Sequence, residues 1–162
     1  MTASRKESKP STGSRGPSMS RAARIRAAIA HAGSRSLLQV VQFDDRGLIP
    51  AIVQDQRSKR VLTLCYLNRE ALERSLAEGK IYLFRRSQQR LMLKGELSGH
   101  IQIIKKVEVD CEGKSLLFHV DQHVAGCHVG YFSCYFRHLD ALGQLATTER
   151  RVFDPDKTYR NS

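Results

Sequence analysis

The hydrophobic pattern between residues 48 and 67 predicts two strands. Residues 48–54 and 60–67 are rich in β-branched and other apolar side chains, and the polar residues 56–59 separate them. Two apolar runs joined by a short polar loop are typical of a β-hairpin. Cys65 lies inside the second run, and we interpret it as a core residue.

The next segment changes from strand-like to helical spacing. Small and apolar residues recur at helical intervals from Ala71 to Leu76. Asn68 precedes them and suits the N-cap position, and Gly79 follows them and suits the end of a helix. This pattern predicts the main helix of the protein.

Four further runs predict strands at residues 81–85, 90–94, 101–109 and 115–121. The last two are the longest, and residues 110–114 connect them as a short loop. Gly113 can take the positive φ that such a tight turn requires. Strands interrupted by one clear helix indicate an α+β domain, which we place at residues 37–140, with residues 141–162 as a C-terminal tail to which we assign no chemistry.

The first 36 residues have a different composition. Residues 1–20 are rich in Ser, Lys, Arg, Gly and Pro, which predicts disorder, and Ser20 could cap a short helix over residues 21–30 that ends at Gly33. Residues 1–36 carry eight basic and one acidic side chain, and therefore most of the net charge of +11. A basic arm of this kind can bind RNA or a further partner, and it is the only part of the chain to which we assign that possibility. A solvated extension without function is the alternative.

Composition also bears on the compartment. The chain has no apolar run of the length that spans a membrane, and its N-terminus has no signal-peptide pattern, so we predict a cytoplasmic protein without membrane contact. In that reducing compartment, the four cysteines are expected to be free or metal-bound rather than paired in disulfides.

Three of the four cysteines fall between residues 111 and 134, and they are the first candidates for chemistry. Three thiolates on zinc leave one tetrahedral position for water, which is the arrangement of a catalytic site. The spacing of Cys111, Cys127 and Cys134 matches no paired CxxC pattern, however. The alternative interpretation is that they are small buried apolar residues.

The sequence around these cysteines resembles the phosphoribosyl-AMP cyclohydrolase family. The motifs that carry the resemblance are LMLKGELSGH at 91–100, VDCE at 109–112 and AGCHVGYFSCYF at 125–136, together with GLIPAIVQD at 47–55 and YLNREAL at 66–72. They occur in the order of the family, over residues 43–138. The resemblance implies an α+β fold with a strongly twisted antiparallel sheet, one main helix and an intertwined homodimer.

The resemblance also implies an activity. Enzymes of this family act in histidine biosynthesis and open the adenine ring of 1-(5-phosphoribosyl)-AMP by hydrolysing the N1–C6 bond. Cys111, Cys127 and Cys134 would bind zinc at a site shared between two subunits. Zinc lowers the pKa of its bound water, which makes it a source of the attacking hydroxide.

The resemblance assigns further residues to catalysis and to substrate binding. His100 and His128 are the candidate acid–base groups, because an imidazole titrates near neutral pH. Support of a metal ligand is the alternative role for His128. Arg86 and Lys94 would bind the two phosphates of the nucleotide substrate, and Glu96 would orient a cation or contact the ring.

A second metal is less well supported. Asp110 and Glu112 are the candidate magnesium ligands, but Lys114 stands where the family has a third Asp, which argues against a normal magnesium site.

Three more positions depart from the family. Gln88, Met92 and Val129 replace an Arg, a Trp and a Thr. Two alternatives therefore remain: a diverged zinc hydrolase for another nucleotide-like or amidine-like substrate, and a noncatalytic zinc module whose basic arm binds RNA or a partner.

Overall fold

The computed structural model describes residues 33–160. The helix predicted over residues 21–30 lies outside this range. Residues 33–40 are helical, so the prediction that a helix ends at Gly33 is wrong. The other elements are β1 (Ile49–Asp55), β2 (Val61–Leu67), α1 (Arg69–Glu78), β3 (Tyr82–Arg85), β4 (Arg90–Leu93), β5 (Gln102–Val109), β6 (Leu116–Gln122), β7 (Arg137–Leu139), β8 (Leu145–Thr147) and α2 (Pro155–Tyr159).

The main sheet has four strands in the order β2-β1-β6-β5. The outer pairs are the two predicted hairpins, and both are antiparallel. The central pair is parallel, with Ala51 opposite Leu116 and Asp55 opposite Val120. The α+β class is confirmed, but the prediction of an antiparallel sheet is wrong, because its central pair is parallel. Strands β1 and β6 are far apart in the chain, so no hairpin turn forces them to run in opposite directions.

One face of this sheet forms the core. Alternate residues of the central strands, among them Ala51, Val53 and Phe118, are completely buried there. Helix α1 and the β3–β4 hairpin pack over this face. The opposite face includes Ile52 and Leu64, which are 39% and 45% exposed.

Helix α1 begins and ends where the sequence predicts. The Asn68 side chain accepts a 2.8 Å hydrogen bond from the backbone N–H of Ala71. Gly79 ends the helix with a φ of 66° and donates its N–H to the carbonyl oxygen of Ser75. The buried Ser75 hydroxyl in turn accepts a 2.8 Å bond from the N–H of Tyr82, which joins the helix to β3.

The chain after residue 136 folds back onto the domain. Strands β7 and β8 form a small antiparallel hairpin, which the sequence analysis did not predict. Arg60 contacts Glu149 at 2.6 Å and also donates to the carbonyl oxygen of Tyr135, so this hairpin is tied to the start of β2. Among residues 33–160, the helices are all too short or too polar to cross a membrane.

Candidate functional site

Two loops that are distant in sequence meet beside the core. The first, residues 94–100, follows β4, and the second, residues 123–134, follows β6. The Lys94 ammonium donates a 2.7 Å hydrogen bond to the carbonyl oxygen of Gly126. The N–H of His123 donates to the carbonyl oxygen of Ile101 at 3.1 Å and closes the other end of the contact.

The two loops enclose a cavity of about 260 Å³, which we call the loop cavity. Five of the predicted site residues line it: Lys94, Glu96, His100, Cys127 and His128. These residues are spread over more than thirty positions of the sequence. The resemblance named them from separate motifs, and the fold places them around one cavity.

Glycine at position 95 permits the sharp return of the first loop. Gly95 has a φ of +88°, and a Cβ atom there would lie 2.4 Å from the backbone oxygen of His100. A side chain would therefore collide with rigid backbone and would also be strained by the left-handed conformation. The close approach places His100 next to Lys94 at the cavity wall.

His100 sits in a partly apolar environment. The edge of its ring meets the Phe153 ring with 4.6 Å between centroids and an interplanar angle of 75°. The pKa of His100 is lowered below its usual value of 6.5, mainly by burial and also by the positive charge of Lys94. The imidazole is therefore neutral at neutral pH and can accept a proton.

Cys127 and Cys134 lie side by side on the second loop. The N–H of Cys134 donates to the carbonyl oxygen of Leu62 at 2.7 Å, which fixes this loop against β2. The Ser133 hydroxyl adds a 2.7 Å bond to the carbonyl oxygen of Val61. Cys134 is exposed, but the protein atoms around its thiol partly desolvate it and raise its pKa. A hydrogen bond with the Thr63 hydroxyl lowers the pKa, and the adjacent Cys127 thiol raises it. Two neighbouring thiols of this kind suit a soft cation, which would favour their thiolate forms.

Cys65 lies in the same neighbourhood and is buried, which confirms its interpretation as a core residue. Burial raises the pKa of its thiol to about 12, against the opposing charge of Lys94 and with a smaller contribution from Cys134. Cys65 is thus a protonated thiol in the core near the pair formed by Cys127 and Cys134.

Cys111 is remote from the other two predicted ligands. It is exposed in the loop that joins β5 to β6, next to the Leu116 end of β6. The loop with Cys134 is bonded to Leu62, at the opposite end of the sheet. Accordingly, residues 33–160 of a single chain contain no group of three or more His, Cys, Asp or Glu side chains placed to hold a metal ion. Of the three predicted ligands, only Cys127 and Cys134 converge within one chain.

The candidate magnesium ligands are engaged within their own loop. Asp110 accepts hydrogen bonds from the N–H groups of Lys114 and Ser115 at 2.7 and 3.1 Å, and these bonds hold its pKa low. Glu112 pairs with the Lys114 ammonium at 3.2 Å. Lys114 thus supplies a positive charge where a divalent cation would need a further carboxylate.

Arg86 faces a second depression, of about 730 Å³, which we call the cationic groove. Its guanidinium lies 3.8 Å from the centre of the Tyr66 ring. Arg46, Arg85 and Lys94 also line the groove, and Arg85 and Lys94 line the loop cavity as well. Four cations along two adjoining depressions suit an anionic ligand with more than one phosphate.

Three residues that line these depressions, and one that packs beside them, were absent from the sequence predictions. Arg46 and Arg85 are single charges without a motif of their own, and only their convergence marks them. Tyr159 lines the loop cavity, and Phe153 packs on His100, although both belong to the tail to which no chemistry was assigned. The one feature of the sequence that could have identified Phe153 and Tyr159 is that they are aromatic residues in an otherwise polar tail.

Comparisons with known proteins agree with these motifs. The family model described as phosphoribosyl-AMP cyclohydrolase matches residues 63–136. The chain is 42% identical over 125 residues to the phosphoribosyl-AMP cyclohydrolase of Chlorobium phaeovibrioides, an alignment that covers 77% of this chain and 91% of that protein. The enzyme of the same name from Methanosarcina barkeri is 43% identical over 130 residues, with 78% and 98% covered.

A further relative is longer. The histidine biosynthesis bifunctional protein HisIE of Thermoanaerobacter pseudethanolicus is 44% identical over 124 residues, which are 76% of this chain but only 57% of that protein. The single-function relatives are matched over nearly their whole length, at an identity well above what chance similarity gives. The chain therefore belongs to the phosphoribosyl-AMP cyclohydrolase family.

Proposed function

We propose that this protein is a phosphoribosyl-AMP cyclohydrolase, which hydrolyses the N1–C6 bond of the adenine ring of 1-(5-phosphoribosyl)-AMP in histidine biosynthesis. Membership of the family confirms the prediction of a hydrolase that acts on a C–N bond. The observation that carries the proposal for this chain is the loop cavity, which gathers Lys94, Glu96, His100, Cys127 and His128 at one place.

The two adjoining depressions suit the shape of this substrate. It is a heterocycle with a phosphoribosyl group at each end, so it needs a site for a ring and two sites for phosphates. The loop cavity is of a size for the ring, and the cationic groove brings Arg46, Arg85 and Arg86 to the phosphates. Lys94 lies on both depressions and is placed to contact a phosphate or the edge of the ring.

Zinc is part of the proposal, and its donors would come from two chains. Cys127 and Cys134 of one molecule and Cys111 of a second copy would form a three-thiolate site. The adjacency of the first two thiols and the exposed, remote position of the third support this arrangement. When bound, zinc supplies a water of lowered pKa that can act as hydroxide near neutral pH.

A homodimer is the second part of the proposal. The face of the main sheet opposite the core carries Ile52 and Leu64, both more than a third exposed. An apolar sheet face of this kind gains free energy when another surface covers it. The shared zinc site sets a further requirement on this dimer, since Cys111 of the second copy would have to lie beside the Cys127 and Cys134 pair.

His100 is the proposed proton carrier. Because its lowered pKa keeps it neutral, it can take the proton that water loses on adding to C6. It can then return that proton to N1 as the N1–C6 bond breaks. His128 lines the same cavity and is exposed, and it is the alternative carrier.

Complementation tests this function directly. The gene is expressed in a bacterial histidine auxotroph that lacks only the cyclohydrolase step, and growth without histidine is the expected result. Cys127→Ala should abolish growth, while a conservative change at the exposed, distant Leu142 should preserve it. Failure of the unchanged chain to support growth, with soluble protein present and one zinc bound per chain, would instead favour the diverged hydrolase.

A further inference from the structure

The last described part of the chain, residues 149–160, lies beside the loop cavity, where Tyr159 forms part of the wall, and we call it the C-terminal segment. Its N–H at Val152 donates a 2.7 Å hydrogen bond to the carbonyl oxygen of Gly130, on the loop that carries the cysteines. The Arg151 guanidinium lies 5.8 Å from the centre of the Tyr131 ring on the same loop. The segment is therefore bound to the site loop at consecutive positions.

The contact at Gly130 requires a residue without a side chain. Gly130 has a φ of +100°, and a Cβ atom there would lie 2.6 Å from the backbone oxygen of Phe153. Any side chain at this position would push the C-terminal segment away from the loop. The close approach sets the path of the segment towards His100 and the cavity.

This path places two aromatic rings of the segment close to His100 and to each other. Phe153 packs with its edge against His100, and the centre of the Tyr159 ring lies 6.3 Å from that of Phe153. Phe153 precedes helix α2, and Tyr159 is the last residue of that helix. Asp154 caps the helix by accepting from the N–H of Asp156, and Pro155 occupies its first turn. Tyr159 thereby reaches the wall of the loop cavity.

The remaining walls of the cavity contain no other aromatic ring of Phe, Tyr or Trp type among the described residues. Met92 lines it with a flexible thioether, and the other contacts are aliphatic, polar or imidazole groups. A flat, electron-poor heterocycle gains most from an aromatic face, and Tyr159 is the residue that can offer one.

We propose that Tyr159 is a substrate-recognition residue that stacks on the adenine ring in the loop cavity. This inference rests on the proposed function for the identity of the ring, but its geometry requires only a purine base. It gives the C-terminal segment a role in specificity: the segment completes the wall of a site whose catalytic groups all lie between residues 94 and 134.

Steady-state kinetics of the full-length protein with 1-(5-phosphoribosyl)-AMP test the inference. Tyr159→Leu keeps an apolar side chain but removes the ring, and we expect KM to rise about tenfold, the size expected when one stacking contact with a base is lost, while kcat changes little. Tyr159→Phe keeps the ring and should leave KM within about twofold of the unchanged protein. Lys157→Ala, an exposed position on the same helix, is the matched control and should change neither constant.

The opposite results overturn the inference. A Tyr159→Leu protein with an unchanged KM, or equal losses in the Leu and Phe variants, would exclude stacking. Thermal unfolding of each variant shows whether the fold is intact, and Tyr159→Met replaces the Leu variant if the latter does not fold.

Equilibrium dialysis with AMP separates this inference from the proposed function. If the unchanged protein does not open phosphoribosyl-AMP, the proposed function fails, and AMP binding then decides the role of Tyr159. Weaker AMP binding by Tyr159→Leu than by Tyr159→Phe supports stacking on a purine, whereas equal binding by both, or no AMP binding by the unchanged protein, overturns it.

Discussion

The Lys94 ammonium donates a 2.7 Å hydrogen bond to the carbonyl oxygen of Gly126, 32 residues further along the chain. This bond joins the loop after β4 to the loop that carries Cys127. The same charge lowers the pKa of His100 and lies close enough to Cys65 to oppose the effect of burial there. One half-buried cation thus holds the two site loops together and adds to burial in lowering the pKa of His100.

Replacing this cation should destabilise the protein. Lys94→Met keeps the length of the side chain but leaves the Gly126 carbonyl without its donor, and we expect the free energy of unfolding to fall by about 2 kcal/mol. Urea unfolding measures the change. Lys105→Met is the control: its partner is Asp121 at 2.8 Å on the exposed surface, so the loss should stay below about 1 kcal/mol. Equal losses of unfolding free energy in the two variants would show that the Lys94 hydrogen bond stabilises the protein no more than a surface ion pair does.

The pKa of His100 should respond to the same substitution. In the folded protein the pKa is lowered, so neutral His100 stabilises the fold above pH 6.5, and this contribution is lost as the pH falls from 6.5 through the lowered value. Lys94→Met removes a repelling charge and should raise the pKa of His100, as read from the imidazole signals in an NMR titration. Lys105→Met should leave it unchanged. A pKa at or above 6.5 in the unchanged protein would contradict the prediction.

Two glycines of one loop provide a matched test of backbone contact. Gly95→Ala brings a Cβ atom to within 2.4 Å of the His100 oxygen, whereas Gly99→Ala meets nothing within 4 Å, although both residues have positive φ. Gly99→Ala should cost about 1 kcal/mol of stability through backbone strain alone, and Gly95→Ala about 3 kcal/mol or more. Gly95→Ala should also lower activity, because the loop must move away from His100. Similar costs at the two positions would contradict the close approach.

A zinc site shared between chains can be tested by combining two variants, each of which lacks a different zinc ligand. Cys111→Ala and Cys134→Ala should each lose zinc and activity when expressed alone. When the two variants are co-expressed, mixed dimers contain one complete set of donors, so about a quarter of the normal activity should return if subunits associate at random. Cys65→Ala, which alters a buried thiol outside the donor set, should retain zinc. A mixture as inactive as its components would place all three ligands within one chain or exclude the site.

If the exposed sheet face forms the proposed dimer interface, a charge placed on it should separate the subunits. Leu64→Glu puts a charge on the face that a second copy would cover, and it should shift the protein from dimer to monomer in sedimentation velocity experiments. Leu142→Glu, at a position that is 82% exposed near the β7–β8 hairpin, should have no effect on the mass. If the Leu64→Glu protein remains a dimer, the two copies associate through another surface.

Local features of the fold were predictable from the sequence because each depends on neighbours along the chain. Asn68 and Gly79 mark the ends of α1 since a cap needs only the N–H or carbonyl groups of the adjacent turn. The loop of residues 110–114 follows in the same way from a glycine between two apolar runs. The motifs around Lys94 and Cys127 identified the family, which the comparisons confirm.

Contacts between distant segments were decided by the tertiary structure alone. The parallel pairing of β1 with β6 joins residues about sixty-five positions apart, and no turn signal encodes its direction. The convergence of Arg46 and Arg85 with Lys94, and the position of Tyr159 in the loop cavity, depend likewise on how whole elements pack. By itself, the sequence determined strands β1 to β6, helix α1 and the family, because these depend on residue type at short range. The walls of the cavity depend on which surfaces come into contact, and only the folded chain decides that.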